Sequence, residues 1–399
     1  MSDESTTTHS PAELDARQRE ILHLLWSTGR LSRWELHRRM GVNPNAIGAD
    51  VGELLSRGII RECASEVVGP GRPRIPLEID PTVRHVIGLA LSPGRVEACR
   101  LSLRGNLVGK PLYRKLDEPG NAVPTARALL REILTDQALA VGVSVTGIVD
   151  PQNAMLLESS LVGEASVSIR PIFDAAGSTP VVLGNNMHAL AAWWLLIHQA
   201  EADEDVLLVS ICDGQFGAAL LIDGRPNRGC TMSANELGHV RLFVDTDVCY
   251  CGHSGCLERI ISTDFLRRRG VAGGSLLDHA ARYGATNGER GNGNETADKA
   301  IAEMLHCLSA GLADAVNFIR PNRLVLASEL TRFPEFNSAL LRAIRSRLLS
   351  KILERVRIDL WDQVDSHSAE TAGWLALASL YREGWDRAVE APAPTEAAT

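Results

Sequence analysis

Cys249, Cys251 and Cys256 fall within eight residues, and His239 lies ten residues before the first of them. A chain that crowds three thiols and an imidazole either carries scattered reduced thiols there or wraps them around one ion. Three soft sulfur donors and one nitrogen suit tetrahedral zinc in a closed, structural site. Gly252 and Gly255 supply the tight backbone turns that such a wrap needs. His253 falls between the ligands, so spacing alone leaves it as an alternative imidazole. Cys63, Cys99, Cys212, Cys230 and Cys307 stand singly in apolar settings and read as small core residues. The N-terminus, MSDESTTTHSPAELD, has no basic start and no apolar stretch, so it is not a signal peptide. Eight cysteines without such a leader argue for reduced thiols and a metal site, and for a cytoplasmic location.

Charge divides the chain. Its 399 residues carry a net charge of −8, which excludes a basic field over the whole molecule. No run of about 18 apolar residues is present, so no membrane partner is expected. Residues 17–76 nevertheless hold ten arginines against six acids, and that change of sign marks a separate module. Ile21, Leu22 and Leu25 share one face of a helix ending at Gly29. Ser32 caps a second helix that stops at Gly41, and Asn43 with Pro44 opens a third, striped by Ile47, Val51, Leu54 and Leu55. Two short strands, IIRECASEVV and IPLEI, follow around the turn GPGRPR. Three helices and a hairpin predict a winged helix-turn-helix over residues 15–80, after a disordered stretch 1–14.

From residue 81 to 387 strands alternate with helices, so the chain as a whole is α/β. HVIGLAL, VEACRLSL and GNLVGKPL read as three successive strands. A helix is predicted over about 124–138, before the buried strand ALAVGVSV. PVVLGNN leads into the helical HALAAWWLLIHQA, and DVLLVSI pairs with AALLIDG. Residues 270–297 are expected to end as a Gly/Asn-rich loop. A long helix over about 297–319 precedes the strand RLVLAS, then more helix to about residue 384. The Ala/Pro/Glu-rich tail 388–399 is expected to be disordered.

ELGH followed by CYCGHSGCLE resembles the signature of the ROK family of repressors and sugar kinases, over about residues 83–380. The arginine-rich head is similar to that of the family's repressor branch. The resemblance implies two actin-like, ribonuclease-H-like lobes closing over a sugar, with zinc holding the loop 239–258. It implies sugar ligands at Glu236, His239 and Glu258, with Asn185 and Asn186 beside them. The family's catalytic Asp aligns with Asn186, and an amide cannot take a proton from a hydroxyl. Three further kinase features are altered. The opening phosphate turn has become GLALSPGRVE, the glycine-rich phosphate loop CDGQFGAAL, and the glycine pair near adenine Ala327-Ser328. Ser160, Glu164 and Thr146-Gly147 stand where the family usually carries other sugar-site residues.

A helix-turn-helix reads the major groove through the start of its second helix, here Asn43, Asn45 and Ala46. Asn suits adenine and Ala suits a thymine methyl. No Arg or Lys lies between Gly41 and Ser56, and Asp50 would repel phosphate if it faced the backbone. Positive charge comes instead from Arg33, Arg38, Arg39 and the turn, where Arg72 suits a narrow minor groove. The expected function is a zinc-containing, sugar-responsive regulator, a homodimer or homotetramer bound to a double-stranded operator. The alternatives are an ATP-dependent sugar kinase and a regulator that needs no effector.

Overall fold

The computed structural model describes residues 14–64, 74–159, 166–199, 204–229, 235–242, 247–284, 293–362, 365–382 and 384–385. Arg72, Cys230, Ser160, Glu164 and both termini predicted to be disordered lie outside those residues, save Leu14, which is buried. The chain divides into two compact units. One comprises residues 1–199, 230–233 and 367–399; the other comprises 200–229 and 234–366.

The first unit begins with α1 (Ala16–Thr28), β1 (Leu31–Ser32), α2 (Arg33–Met40), α3 (Pro44–Ser56), β2 (Ile60–Glu62) and β3 (Pro76–Ile79). Local chemistry sets these boundaries. Asp15 and Gln18 form a capping box on α1, and Ser32 and Glu35 form another on α2. Gly41 ends α2 in the left-handed region at φ 66°. The predicted apolar stripes meet: Ile21, Leu22, Leu25, Leu36, Ile47, Val51 and Leu54 are fully buried. The strands pair antiparallel in the order β1-β3-β2. Asp50 is buried here and bonded to Arg17 at 2.8 and 3.0 Å. The concern that it faces DNA phosphate does not arise, because that charge is spent internally.

The same unit continues through β4 (His85–Ser92), β5 (Arg95–Ser102), β6 (Leu107–Lys115), α4 (Ala122–Ile133) and β7 (Ala138–Val145). A small sheet of β8 (Ile148–Asp150), β9 (Met155–Glu158) and β10 (Val167–Ser168) precedes α5 (Arg170–Ala176), β11 (Val181–Asn185) and α6 (Asn186–Ile197). The main sheet runs β11-β7-β4-β5-β6, with β4, β7 and β11 parallel and β5 and β6 antiparallel. Helix α13 (Ala369–Tyr381) returns to lie directly on this sheet. Gly88 and Gly142, paired across β4 and β7, allow that approach. A Cβ on Gly88 would stand 1.9 Å from the carbonyl of Ala369, and one on Gly142 2.1 Å from that of Ala372.

Trp26 joins the head to this body. Its indole N–H donates to the Leu196 carbonyl at 2.9 Å, and its ring stacks on Tyr381 at 5.1 Å. The Arg104 guanidinium donates to the last carbonyls of α1, those of Leu25, Trp26 and Gly29.

The second unit repeats the strand plan. β12 (Val206–Cys212), β13 (Gln215–Ile222) and β14 (Arg225–Pro226) are antiparallel, and β15 (Arg323–Ala327) and β16 (Arg357–Trp361) add in parallel, giving β14-β13-β12-β15-β16. Between them come α7 (Leu257–Ile260), α8 (Thr263–Arg268), α9 (Leu276–Arg282), α10 (Gly293–Ile319), α11 (Pro334–Arg345) and α12 (Ser350–Leu353). Leu308, Leu312, Leu324, Leu326, Phe265 and Phe336 form its core. One detail differs from the sequence reading: β16 stands where continuous helix was predicted. The Gly/Asn-rich loop predicted after α9 falls mostly on residues 285–292, outside those described. The sequence RIDLW carries an alternating edge-strand pattern too short to outweigh the helical signals on either side.

Candidate metal centre and ligand pocket

His239 closes a short helical turn, Leu237–His239, and Cys256 caps the start of α7. The segment between them folds back on itself. Leu242 N–H donates to the Gly255 carbonyl at 2.9 Å, and Leu257 N–H to that of Val240 at 3.0 Å. Gly252 and Gly255 both hold φ at 81°, a backbone state that other residues rarely adopt. One donor atom each from His239, Cys249, Cys251 and Cys256 lies within 4.8 Å of every other. Cys251 Sγ is 3.6 Å from Cys256 Sγ, and Cys249 Sγ is 3.7 Å from His239 Nδ1. Sulfurs bound tetrahedrally at about 2.3 Å from zinc stand about 3.8 Å apart, so the spacing fits such an ion. Burial, then the neighbouring thiols, push Cys256 up to about 12, a cost that a bound cation would reverse. The His253 ring turns its Nδ1 to Cys251 Sγ at 3.7 Å, while its carbonyl accepts from Cys249 N–H at 2.7 Å.

Because Nδ1 of His239 faces the thiols, Nε2 points the other way, 3.0 Å from the Tyr250 hydroxyl and 3.8 Å from Glu236. Glu258 is the second residue of α7, buried, and accepts from Phe216 N–H at 3.3 Å. Burial pushes its carboxyl up to about 7, against the pull of that N–H and of the Tyr250 hydroxyl. Glu236, His239 and Glu258 are therefore brought to one place. Tyr250 joins them, and nothing in its residue type or position between two cysteines announced this.

Asn185 and Asn186 belong to the first unit. Asn185 caps α6, accepting from Met187 N–H at 2.7 Å and donating to the Gly147 carbonyl at 2.6 Å. Asn186 Nδ2 lies 3.3 Å from His367 Nε2. His367 had no sequence signal, being 181 residues away.

The predicted phosphate loop borders a cavity of about 640 Å³ within the second unit, lined by Asp213, Arg259, Thr263, Arg267 and Asp278 among others. Asp213 accepts from the Thr263 N–H at 2.6 Å and from its hydroxyl. Arg259 is drawn to Asp247 and Asp264. The acids offset the arginines, which is poor chemistry for a triphosphate.

On the head, Asn45 is exposed at the start of α3, while the Asn43 side chain accepts from Asn45 N–H at 2.8 Å as a cap. Ala46 is half-buried, and Arg33 pairs with Glu62 at 2.9 Å.

The twice-repeated sheet and the His/Cys cluster define a protein of the ROK class, and the family's profile matches residues 127–380. This chain belongs to the ROK family. Among relatives, the DNA-binding transcriptional dual regulator NagC of Escherichia coli K12 is 22% identical over 359 residues, covering 85% of this chain and 86% of the relative. The xylose repressor of Caldicellulosiruptor bescii is 22% identical over 347 residues, covering 81% and 86%. A solved ROK family transcriptional regulator, described as a homologue of Escherichia coli Mlc, superposes with TM-score 0.76 at 19% identity, over 91% of this chain and 96% of that one. A ROK glucokinase from Streptomyces griseus, solved with glucose and AMPPNP, superposes with TM-score 0.56 at 20% identity, over 73% of this chain and 99% of that one. Among the described residues, no helix is long and apolar enough to cross a membrane.

Proposed function

We propose that this chain is a DNA-binding transcriptional repressor that binds a polyol effector and uses no catalysis. The head carries the reading. Its helix, strand, helix, helix and hairpin order is that of a winged helix-turn-helix, with Asn45 and Ala46 at the start of the helix offered to the major groove. Arg33 and Arg72 are assigned to the DNA backbone and minor groove. The regulatory names of the relatives support the same reading. The repeated sheet order supports an actin-like, ribonuclease-H-like body.

Asn186 argues against a sugar kinase. A neutral amide cannot serve as general base, and this one is already turned to His367. Asp213, bonded to Thr263 beside the cavity, adds negative charge where a nucleotide phosphate would have to sit.

His239, Cys249, Cys251 and Cys256 would hold zinc. When bound, zinc neutralises the thiolates and fixes the loop. Glu236 and Glu258 then accept hydrogen bonds from adjacent hydroxyls of a sugar or sugar derivative, and His239 offers Nε2. Asn185 holds the start of α6 in shape, with Asn186 turned to His367. A polyol changes DNA affinity only by its differential affinity for two conformations, typically about 1–3 kcal/mol of coupling. A palindromic operator calls for paired heads, hence a homodimer or homotetramer.

The test is selection of bound fragments from sheared genomic duplex by the full chain, followed by titration of the enriched sequence with and without a panel of sugars. Enrichment of a two-fold symmetric sequence supports the reading. Failure to bind any duplex overturns it.

A further inference from the structure

The arginines of the head are unequally placed. Arg17 pairs with Asp50, Arg30 and Arg61 with Glu78, and Arg57 with Glu53. Arg38, Arg39 and Arg74, by contrast, have no carboxylate within ion-pair distance among the described residues. Two of these three converge on one ring. Trp34, the second residue of α2, is 49% exposed, with the Arg74 guanidinium 4.0 Å and that of Arg38 5.3 Å from its centroid. Arg74 stands at the foot of β3, so the ring ties α2 to the hairpin. Arg39 and Arg74 both act upon Glu35, and its carboxylate is committed to Ser32 N–H and Oγ at 2.8 and 2.7 Å.

Helix α3 holds Asp50 and Glu53 and no Lys or Arg, so it brings no cation to a phosphate. We infer that Trp34 is a platform presenting Arg38 and Arg74, with Arg39 beside them, to the phosphates of a DNA duplex. This α2 face supplies the sequence-independent affinity of the head, and α3 supplies base contacts only. The inference rests on the DNA-binding reading above. It adds which surface carries the charge and makes an exposed tryptophan a positioning residue for it.

The ring attracts both guanidiniums through its π face and so holds two like charges close to one another. Held there, each arginine meets the backbone without the entropy loss of ordering a free side chain. Three neutralised phosphates contribute about −2.7 per head to the slope of log affinity against log salt.

The experiment uses the full chain and a labelled random-sequence duplex, titrated at several salt concentrations. Trp34→Leu keeps every charge and should bind about five- to thirtyfold more weakly at low salt. Trp34→Phe, which keeps an aromatic face, should recover most of the loss. Arg38→Gln and Arg74→Gln should each flatten the salt slope by about 0.9 per head. Because Trp34 is half exposed, the melting temperature of Trp34→Leu should match that of the unsubstituted chain. Unchanged affinity and slope in Trp34→Leu, with the parent chain binding well, overturns this inference alone. A parent chain that binds no duplex at low salt overturns the DNA-binding reading with it.

Discussion

Replacing Cys251 by Ser tests how the loop around the His/Cys cluster is held. Among its described side chains outside the cluster, Asp247 pairs with Arg259 and Arg268 at 3.0 and 2.8 Å, near the surface. Val248 and Tyr250 at its tip are 65% and 72% exposed, so apolar burial contributes almost nothing there. Its backbone is held by isolated bridges, Arg241 with Cys256 and Val248 with Ser254, and by a few turn bonds such as Cys249 N–H to the His253 carbonyl at 2.7 Å. Its base is different, because Leu257 and Ile260 are fully buried in the core of the second unit. With free zinc a thousandfold above the dissociation constant, the ion contributes about 4 kcal/mol, or about a thousandfold in amide protection. Cys251→Ser should therefore lose its metal and about a thousandfold of hydrogen-exchange protection at Leu242, Cys249 and Gly252. The strands β12 and β15 should keep theirs. Glu258 should stay in place, since Phe216 and the buried face of α7 hold it, while His239 is released. Elemental analysis gives the metal content, and exchange read by mass spectrometry gives the pattern. One zinc per chain retained in the variant, with an unchanged loop, would refute the four-ligand assignment.

Four further outcomes are expected. His85, pushed down to about 4 by burial and then by Arg100 and Arg84, stays neutral when folded and has an unfolded value of 6.5. Its contribution is thus present above pH 6.5 and lost as pH falls toward 4, by about 1–2 kcal/mol after screening, and denaturant melts of His85→Gln should show a shallower acid loss. Gly142→Ala forces α13 off the sheet and should cost about 3 kcal/mol. Gly48→Ala, in a helix with nothing within 4 Å of the new Cβ, should gain up to about 1 kcal/mol, and thermal melts distinguish the two. Asn186→Asp should not create hexose-dependent ATP consumption in a coupled assay, because Asp213 and the altered phosphate turns remain; measurable turnover would show that a kinase site persists.

What could be read from the sequence was what nearby residues decide. Ser32, Asn43 with Pro44, and Gly41 set helix ends through contacts a few residues long, and each is found as expected. The cysteine spacing announced the His/Cys cluster for the same reason. The burial of Asp50 was not legible, because its partner Arg17 lies 33 residues away on another helix. His367 beside Asn186 and Tyr250 beside Glu258 depend on tertiary folding in the same way. The helix predicted over 124–138 begins two residues sooner and ends at Ile133, where Leu134 turns extended, since apolar periodicity continues past the point where the chain turns toward β7.

The Trp26 junction has a consequence for how an operator is measured out. Many DNA-reading heads hang from flexible tethers, and the tether absorbs variation in the gap between half-sites. Here the first helix of the head is bonded to the Leu196 carbonyl, stacked on Tyr381 and gripped at its end by Arg104. The head is an outgrowth of the body, with no tether at this junction to take up slack. In a paired assembly the distance between the reading helices is then a property of the assembled bodies, like the fixed span of a pair of calipers. Inserting half a helical turn of DNA between half-sites should abolish paired binding, where a tethered head would tolerate it.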